Sequence, residues 1–232
     1  MISLFSALSV KKPLDDVLLT TFESKHAVDV EVTFDPTTIL VEKIRDGAEP
    51  DVVIAVSTAF AGLEAAGAVT PDSRVVLAKS GIGIATAPEL GDPDIGTVDA
   101  LRTALTSARS VAYSRSGASG IHFARLLEDL GIADEVNARA TVVEKGFTAL
   151  AVTDGRADLA VQQISELKFV PRARIVGPLP DGAQHYSELS AALGRSAPPE
   201  AAELLRFLSG PEARAAYREA GLVTDTTART HA

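Results

Sequence analysis

The sequence predicts a two-lobed α/β protein whose parallel sheets are covered by helices. Two observations carry this. Through residues 1–67, short apolar runs alternate with amphipathic helical stretches in the order β-α-β-α-β-α, the pattern of a parallel sheet with crossover helices. Further along, VVLAKSGIGIATA and AQHYSELSAALG are both longer than an ordinary strand and bracket a second α/β set. The chain is therefore expected to cross between lobes twice, with residues 1–79 and 190–232 in lobe 1 and residues 80–189 in lobe 2. A ligand cleft is expected between the lobes, because small molecules bind preferentially where domains meet.

ISLFSAL opens the chain as a strand, and VKKPLDDVLLTTFESKH follows with Leu14, Val17, Leu18 and Phe22 at helical spacing. VDVEVTFD alternates with period two and reads as a strand. TTILVEKIRDG is a helix stopped by Gly47, and PDVVIAV is the continuous apolar run of a strand buried on both faces. STAFAGLEAAGAV reads as a helix opened by Ser57 or Thr58 and closed by Gly67. In the second lobe TVDALRTALTSA is a helix, SVAYS a strand, ASGIHFARLLEDLG a helix, ATVVEKG a strand or turn and FTALAVTDGRA a helix. DLAVQQI and RARIVGPLP are strands. The final PPEAAELLRFLSGPEARAAYREAG gives two helices broken at Gly210–Pro211, expected to return to the first lobe.

Composition narrows the function. The 232 residues are 46% hydrophobic and 23% charged, ordinary globular material with a sizeable core. No cysteine occurs, which removes thiol nucleophiles and thiolate metal sites. Net charge is −9 with scattered basic residues, which argues against a nucleic-acid or anionic-membrane partner. The basic pair Lys11–Lys12 follows the first apolar stretch instead of preceding it, the reverse of an export signal. The expectation is a cytoplasmic protein, or else a mature periplasmic or extracellular one whose leader was removed. The histidines His26, His122, His185 and His231 form no ligand-spaced pair, so neither a metal nor another cofactor is expected.

Four segments in order carry a family likeness: SALSVKKPL, IRDGAEPDVVIAVSTAFAGLEAAGAV, YSRSGASGIHFARLLEDLGI and VTDGRADLAVQQISEL. Together they resemble the molybdate-binding-protein-like branch of the type II periplasmic solute-binding proteins. The resemblance covers nearly the whole chain. It implies the type II periplasmic-binding-protein fold and a small anion held by hydroxyls and helix-start amides. The positions it implies are Ser6 and Ser9 in Ser6-Ala7-Leu8-Ser9, and Thr37-Thr38 after the second strand. Where that family carries a tyrosine in the second lobe, this chain reads Ala160-Val161-Gln162-Gln163, and an amide that donates and accepts suits a carboxylate at least as well. SGASGIHFARLLEDLGIADEVNA is similar to a smaller branch of the same family, the aconitate isomerases. The first functional expectation is thus an isomerase of a small unsaturated polycarboxylate. The second is a non-catalytic receptor that delivers an oxyanion or organic acid to an ABC transporter in the membrane.

The residues themselves point to the same chemistry. In YSRSGASG, glycines allow close backbone approach, Ser116 and Ser119 can cap or coordinate, and the amides before Gly120 attract anions. Arg115 can clamp a carboxylate with two parallel bonds. The plain alternative is a strand-to-helix turn with a serine cap, and Ser9, Thr37, Thr38 and Ser57 carry the same capping alternative. Strand alternation lets only one of Gln162 and Gln163 face a cleft, and Gln162 is the choice. An isomerase also needs a titratable group in reach of an allylic proton. Lys11 and His122 are the candidates, with Glu144, Lys145 and His185 behind them.

Overall fold

The computed structural model describes residues 1–224; His231 and the rest of the expected return segment from 225 to 232 lie outside the described residues. The chain divides into two compact units. Among the described residues, unit 1 holds Met1–Ser80 and 188–224; unit 2 is Gly81–Ser187. In chain order the elements are β1 (Ile2–Ser6), a 3-10 turn at Leu8–Val10, α1 (Lys11–Pro13), a π-helical turn at Leu14–Leu18, α2 (Leu19–His26), β2 (Val30–Phe34), α3 (Thr37–Arg45), β3 (Val52–Val56) and α4 (Phe60–Ala65). Next come β4 (Val75–Thr86), α5 (Val98–Ser107), β5 (Val111–Tyr113), α6 (Ala118–Asp129), α7 (Ala133–Asn137), β6 (Thr141–Val142), α8 (Ala149–Thr153), β7 (Leu159–Gln163), α9 (Ile164–Leu167) and β8 (Arg174–Pro178). The chain closes with β9 (Tyr186–Leu193), α10 (Pro199–Leu208) and α11 (Pro211–Glu219). No helix among the described residues is long and apolar enough to cross a membrane.

In unit 1, β1 pairs in parallel with β2 from Ile2↔Val30 to Ser6↔Phe34, and with β3 from Leu4↔Val52 to Ser6↔Ile54. β9 pairs antiparallel with β3 from Val52↔Leu193 to Val56↔Leu189. The apolar run of β3 is explained by its two buried faces. Val52 and Ile54 join a large cluster with Leu14, Leu18, Phe22 and the C-terminal helices, while Val53 and Ala55 join a smaller one with Phe60 and Leu63. The helical stripe is corrected at one position. Leu14, Leu18 and Phe22 are buried four residues apart, whereas Val17 is 42% exposed because the wide π turn carries it off the apolar face. The last helix is pinned by Tyr217, fully buried, whose hydroxyl donates to Leu208 O at 3.0 Å.

In unit 2, β7 pairs antiparallel with β4 from Ile82↔Gln163 to Thr86↔Leu159 and in parallel with β5, which pairs in parallel with β6. β8 lies antiparallel to β4, with a register shift between Ile84 and Ala85. Alternation again sorts the faces: Leu159 and Val161 enter the cluster of Leu101, Leu105, Phe123 and Leu127, while Ala160 joins Ala112, Ala149 and Val152 on the other side. The interior glycines of β4 have a packing cause. A Cβ at Gly83 would lie 2.7 Å from the Ile164 side chain and 2.8 Å from Gly177 O.

Candidate functional site

Each unit gathers its expected residues at the carboxyl edge of its own parallel strands, where open α/β sheets bind ligands. In unit 1 that edge is sewn together by side chains. Ser6, fully buried, donates from Oγ to Ala7 O at 3.2 Å, and Ala7 N donates to Ile54 O at 2.8 Å. Asp35 N donates to Ser6 O at 3.2 Å, and the Asp35 carboxylate takes Lys43 Nζ at 2.7 Å. Val56 N donates to Thr37 Oγ1 at 3.1 Å, which ties the start of α3 to the end of β3. Neither Thr37 nor Ser57 caps its own helix. Ser57 Oγ instead lies 2.7 Å from Ser190 Oγ, a partner on β9 that nothing in the local sequence announces.

These bonds leave donors over. Thr37 accepts from Val56 and keeps its own O–H, and of the two protons of the Ser57–Ser190 pair only one is used between them. Ser9 is buried beside the 3-10 turn, and Thr38 is exposed as the second residue of α3. Lys11 is held on two sides, its Nζ 2.6 Å from Asp15 Oδ2 and 3.9 Å from the centre of the Phe34 ring. The ammonium is therefore fixed as a cation next to the turn that follows β1.

In unit 2 the loop after β5 runs into α6, and its hydroxyls divide the work. Ser116 N donates to Ser114 Oγ at 3.3 Å, and Ser116 Oγ donates to Glu144 O at 3.0 Å. The remaining Ser114 proton is directed at Ser116 Oγ, 3.3 Å away. Ser116 is thus a brace between the 114–117 and 143–148 loops, with its hydroxyl proton donated to Glu144 O. Ser119 differs: it is 3% exposed, and its hydroxyl has no partner among the described residues. Arg115 is exposed, and its guanidinium likewise has none. Gly117, the residue before α6, supplies no side-chain cap, so the first amides of this 12-residue helix stay available to an anion.

Two expected ligand residues have structural work instead. Gly120 is needed because a Cβ there would sit 1.4 Å from Ser114 O; the backbone it lets approach is the chain's own. Gln162, 3% exposed, accepts from Thr148 N at 2.8 Å and from Thr148 Oγ1 at 3.1 Å, and donates to Gly146 O at 2.9 Å. Its amide holds the 143–148 loop, on which Glu144 and Lys145 are exposed. Gln163 is buried as well and donates to Ser187 Oγ at 3.1 Å.

His122 lies one turn into α6, three residues beyond Ser119 and on the same side of the helix. Its Nε2 is 3.0 Å from Ala183 O; the carbonyl accepts, so Nε2 is the donor in this bond. The His185 ring stacks on it at 4.9 Å and 20°. Partial burial, and then the neighbouring His122 charge, lower the His185 pKa below its ordinary 6.5, which favours a neutral imidazole at physiological pH. This pairing joins residues far apart in sequence. Unit 2 therefore places an arginine, a buried hydroxyl and open helix amides at one end of α6, with two imidazoles alongside.

The family model described as bacterial extracellular solute-binding protein matches residues 2–223. A relative from Pseudomonas sp. named aconitate isomerase is 40% identical over 175 residues, 74% of this chain; the chain spans 66% of that relative's length. Among solved structures, the periplasmic molybdate-binding protein of Azotobacter vinelandii superposes with a TM-score of 0.81 at 20% identity, covering 96% of this chain and 99% of the other. Peb3 from Campylobacter jejuni superposes with a TM-score of 0.70 at 17% identity, covering 96% and 99% of the two chains.

Proposed function

This chain belongs to the bacterial extracellular solute-binding proteins and has the type II periplasmic-binding-protein fold, and on that premise we propose that it is an isomerase of a small unsaturated polycarboxylate of the aconitate kind. The observation that carries this reading is the 40% identity to a relative of that name, supported by carboxylate-binding groups at the start of α6. Arg115 takes one carboxylate with two parallel N–H donors, and the Ser119 hydroxyl and the helix amides take its remaining lone pairs. On the unit 1 edge, Ser9, Thr37, Thr38 and Ser57 supply hydroxyls for anionic groups and Lys11 supplies a positive charge, while Ser6, whose Oγ donates to Ala7 O, holds the turn after β1.

The reaction then requires little. A base takes a proton from the carbon next to the double bond, and the electron pair spreads over the allyl system and its carboxylate. The double bond loses its fixed geometry, and the proton returns at the other end of the system. Charge that develops on the carboxylate is stabilised by donors already aimed at it. His122, whose Nε2 donates to Ala183 O, and His185, stacked on it with a lowered pKa, are the groups to which this reading assigns the proton transfer.

Family membership also favours a second reading, a receptor that binds an organic acid or oxyanion without turning it over. Arg115→Gln separates folding from binding under either reading. Loss of a bidentate charged pair is expected to weaken carboxylate binding about 10- to 100-fold while Tm stays put. For the enzyme this appears as a raised KM with cis-aconitate. An unchanged KM would remove Arg115 from the site.

A further inference from the structure

Unit 1 contains a cavity that the proposed chemistry does not use. It lies between α3 and α4, bounded by the 47–50 turn and by Arg195 and Ser196, and has a volume of about 520 Å³. Its floor is the smaller apolar cluster: Val41 and Ile44 from α3, Ala59 and Leu63 from α4 and its lead-in. The space exists because the residues that could fill it are truncated. Ala48, Ala66 and Ala68 line it, and a Cβ added at Gly62 would meet nothing within 4 Å. Gly47, Thr58, Gly62, Ala66 and Ser196 are exposed, so the hollow is a groove open to solvent above its apolar floor.

The rim is polar and carries one uncommitted cation. Arg195 is paired with Glu49, and both line the mouth, so their charges offset. Arg45, the last residue of α3, has no partner among the described residues. The Thr58 and Ser196 hydroxyls, which also line the space, have none there either. Apolar walls, a volume inside the usual ligand range and one free guanidinium with two hydroxyls together define an occupant: an apolar body ending in a carboxylate.

We propose that this cavity is a second binding site, for a small amphipathic carboxylate whose hydrocarbon body lies over Ile44 and Leu63 and whose carboxylate meets Arg45. The site uses none of the residues assigned to the isomerase reaction, so the two readings stand or fall separately. Octanoate is the probe, titrated into the intact protein and followed through amide NMR shifts, with 1-octanol as the uncharged control. Saturable shifts are expected at Gly47, Thr58, Gly62 and Ala66, with a Kd on the order of 1 mM for so small a ligand. Arg45→Gln is expected to weaken octanoate about tenfold and leave octanol unchanged. Gly62→Leu, which fills open space on a helix, is expected to abolish both with Tm unchanged or raised. Three results would overturn the proposal: no saturable shift, shifts confined to other residues, or binding that survives Gly62→Leu.

Discussion

Gly120 tests whether the glycine at the start of α6 serves a ligand or the chain. Its missing Cβ would lie 1.4 Å from Ser114 O, and real Cβ contacts essentially never fall below 3.0 Å. Gly120→Ala must therefore move the first turn of α6 or the Ser114 carbonyl by about 1.6 Å, the difference between 3.0 and 1.4. Overpacking costs roughly 1–3 kcal/mol, and backbone on both sides puts this case at the upper end. Better helix propensity returns about 1 kcal/mol. The net loss is about 2 kcal/mol, a fall in Tm of roughly 4–8 °C at this chain length. Because the shifted turn carries Ser119, carboxylate affinity should fall with it. Gly117→Ala is the control: its Cβ would find Ser114 Oγ 3.9 Å away, an ordinary contact. Thermal melts and isothermal titration of both variants read the outcome. A Gly120→Ala protein with wild-type Tm and affinity would refute the close-approach argument.

Three further outcomes follow from the same geometry. Gln162→Leu leaves Thr148 N and Gly146 O buried without the amide that satisfied them, so chemical denaturation should show a loss of about 2–5 kcal/mol. Tyr217→Phe removes the buried bond to Leu208 O and should cost about 1–2 kcal/mol in the same assay, with carboxylate binding unchanged. His185 has its folded pKa lowered below 6.5, so its contribution to stability is fully present above pH 6.5 and is lost as pH falls through the folded value. An NMR titration should place that midpoint below 6.5, and His122→Gln, which removes a neighbouring charge, should raise it.

The alternation of helix and strand was legible because each signal is local. VVIAV in β3 is apolar throughout since both faces are covered, and Gly47 and Gly67 do adopt positive φ at the ends of α3 and α4. Segment-level likeness located the family for the same reason. What the sequence hid is where side chains from distant segments meet. Ser57 reads as a cap, yet its hydroxyl is bound by Ser190; Gln162 reads as a ligand amide, yet Thr148 and Gly146 occupy it. Ser116 and Gly120 looked like ligand groups because hydroxyl and glycine density cannot distinguish an anion from the chain's own carbonyls, Glu144 O and Ser114 O. Val17 fitted a helical stripe drawn at one uniform period, which the π turn interrupts. Arg115 and Ser119 have no partner within the described chain.

Proton NMR of purified protein mixed with a large molar excess of cis-aconitate tests the central claim most directly. The account predicts trans-aconitate accumulating over many turnovers per protein molecule, at a rate that falls when His122 and His185 are both replaced by asparagine. No trans isomer at all, together with strong thermal stabilisation by molybdate, would contradict it and leave a receptor.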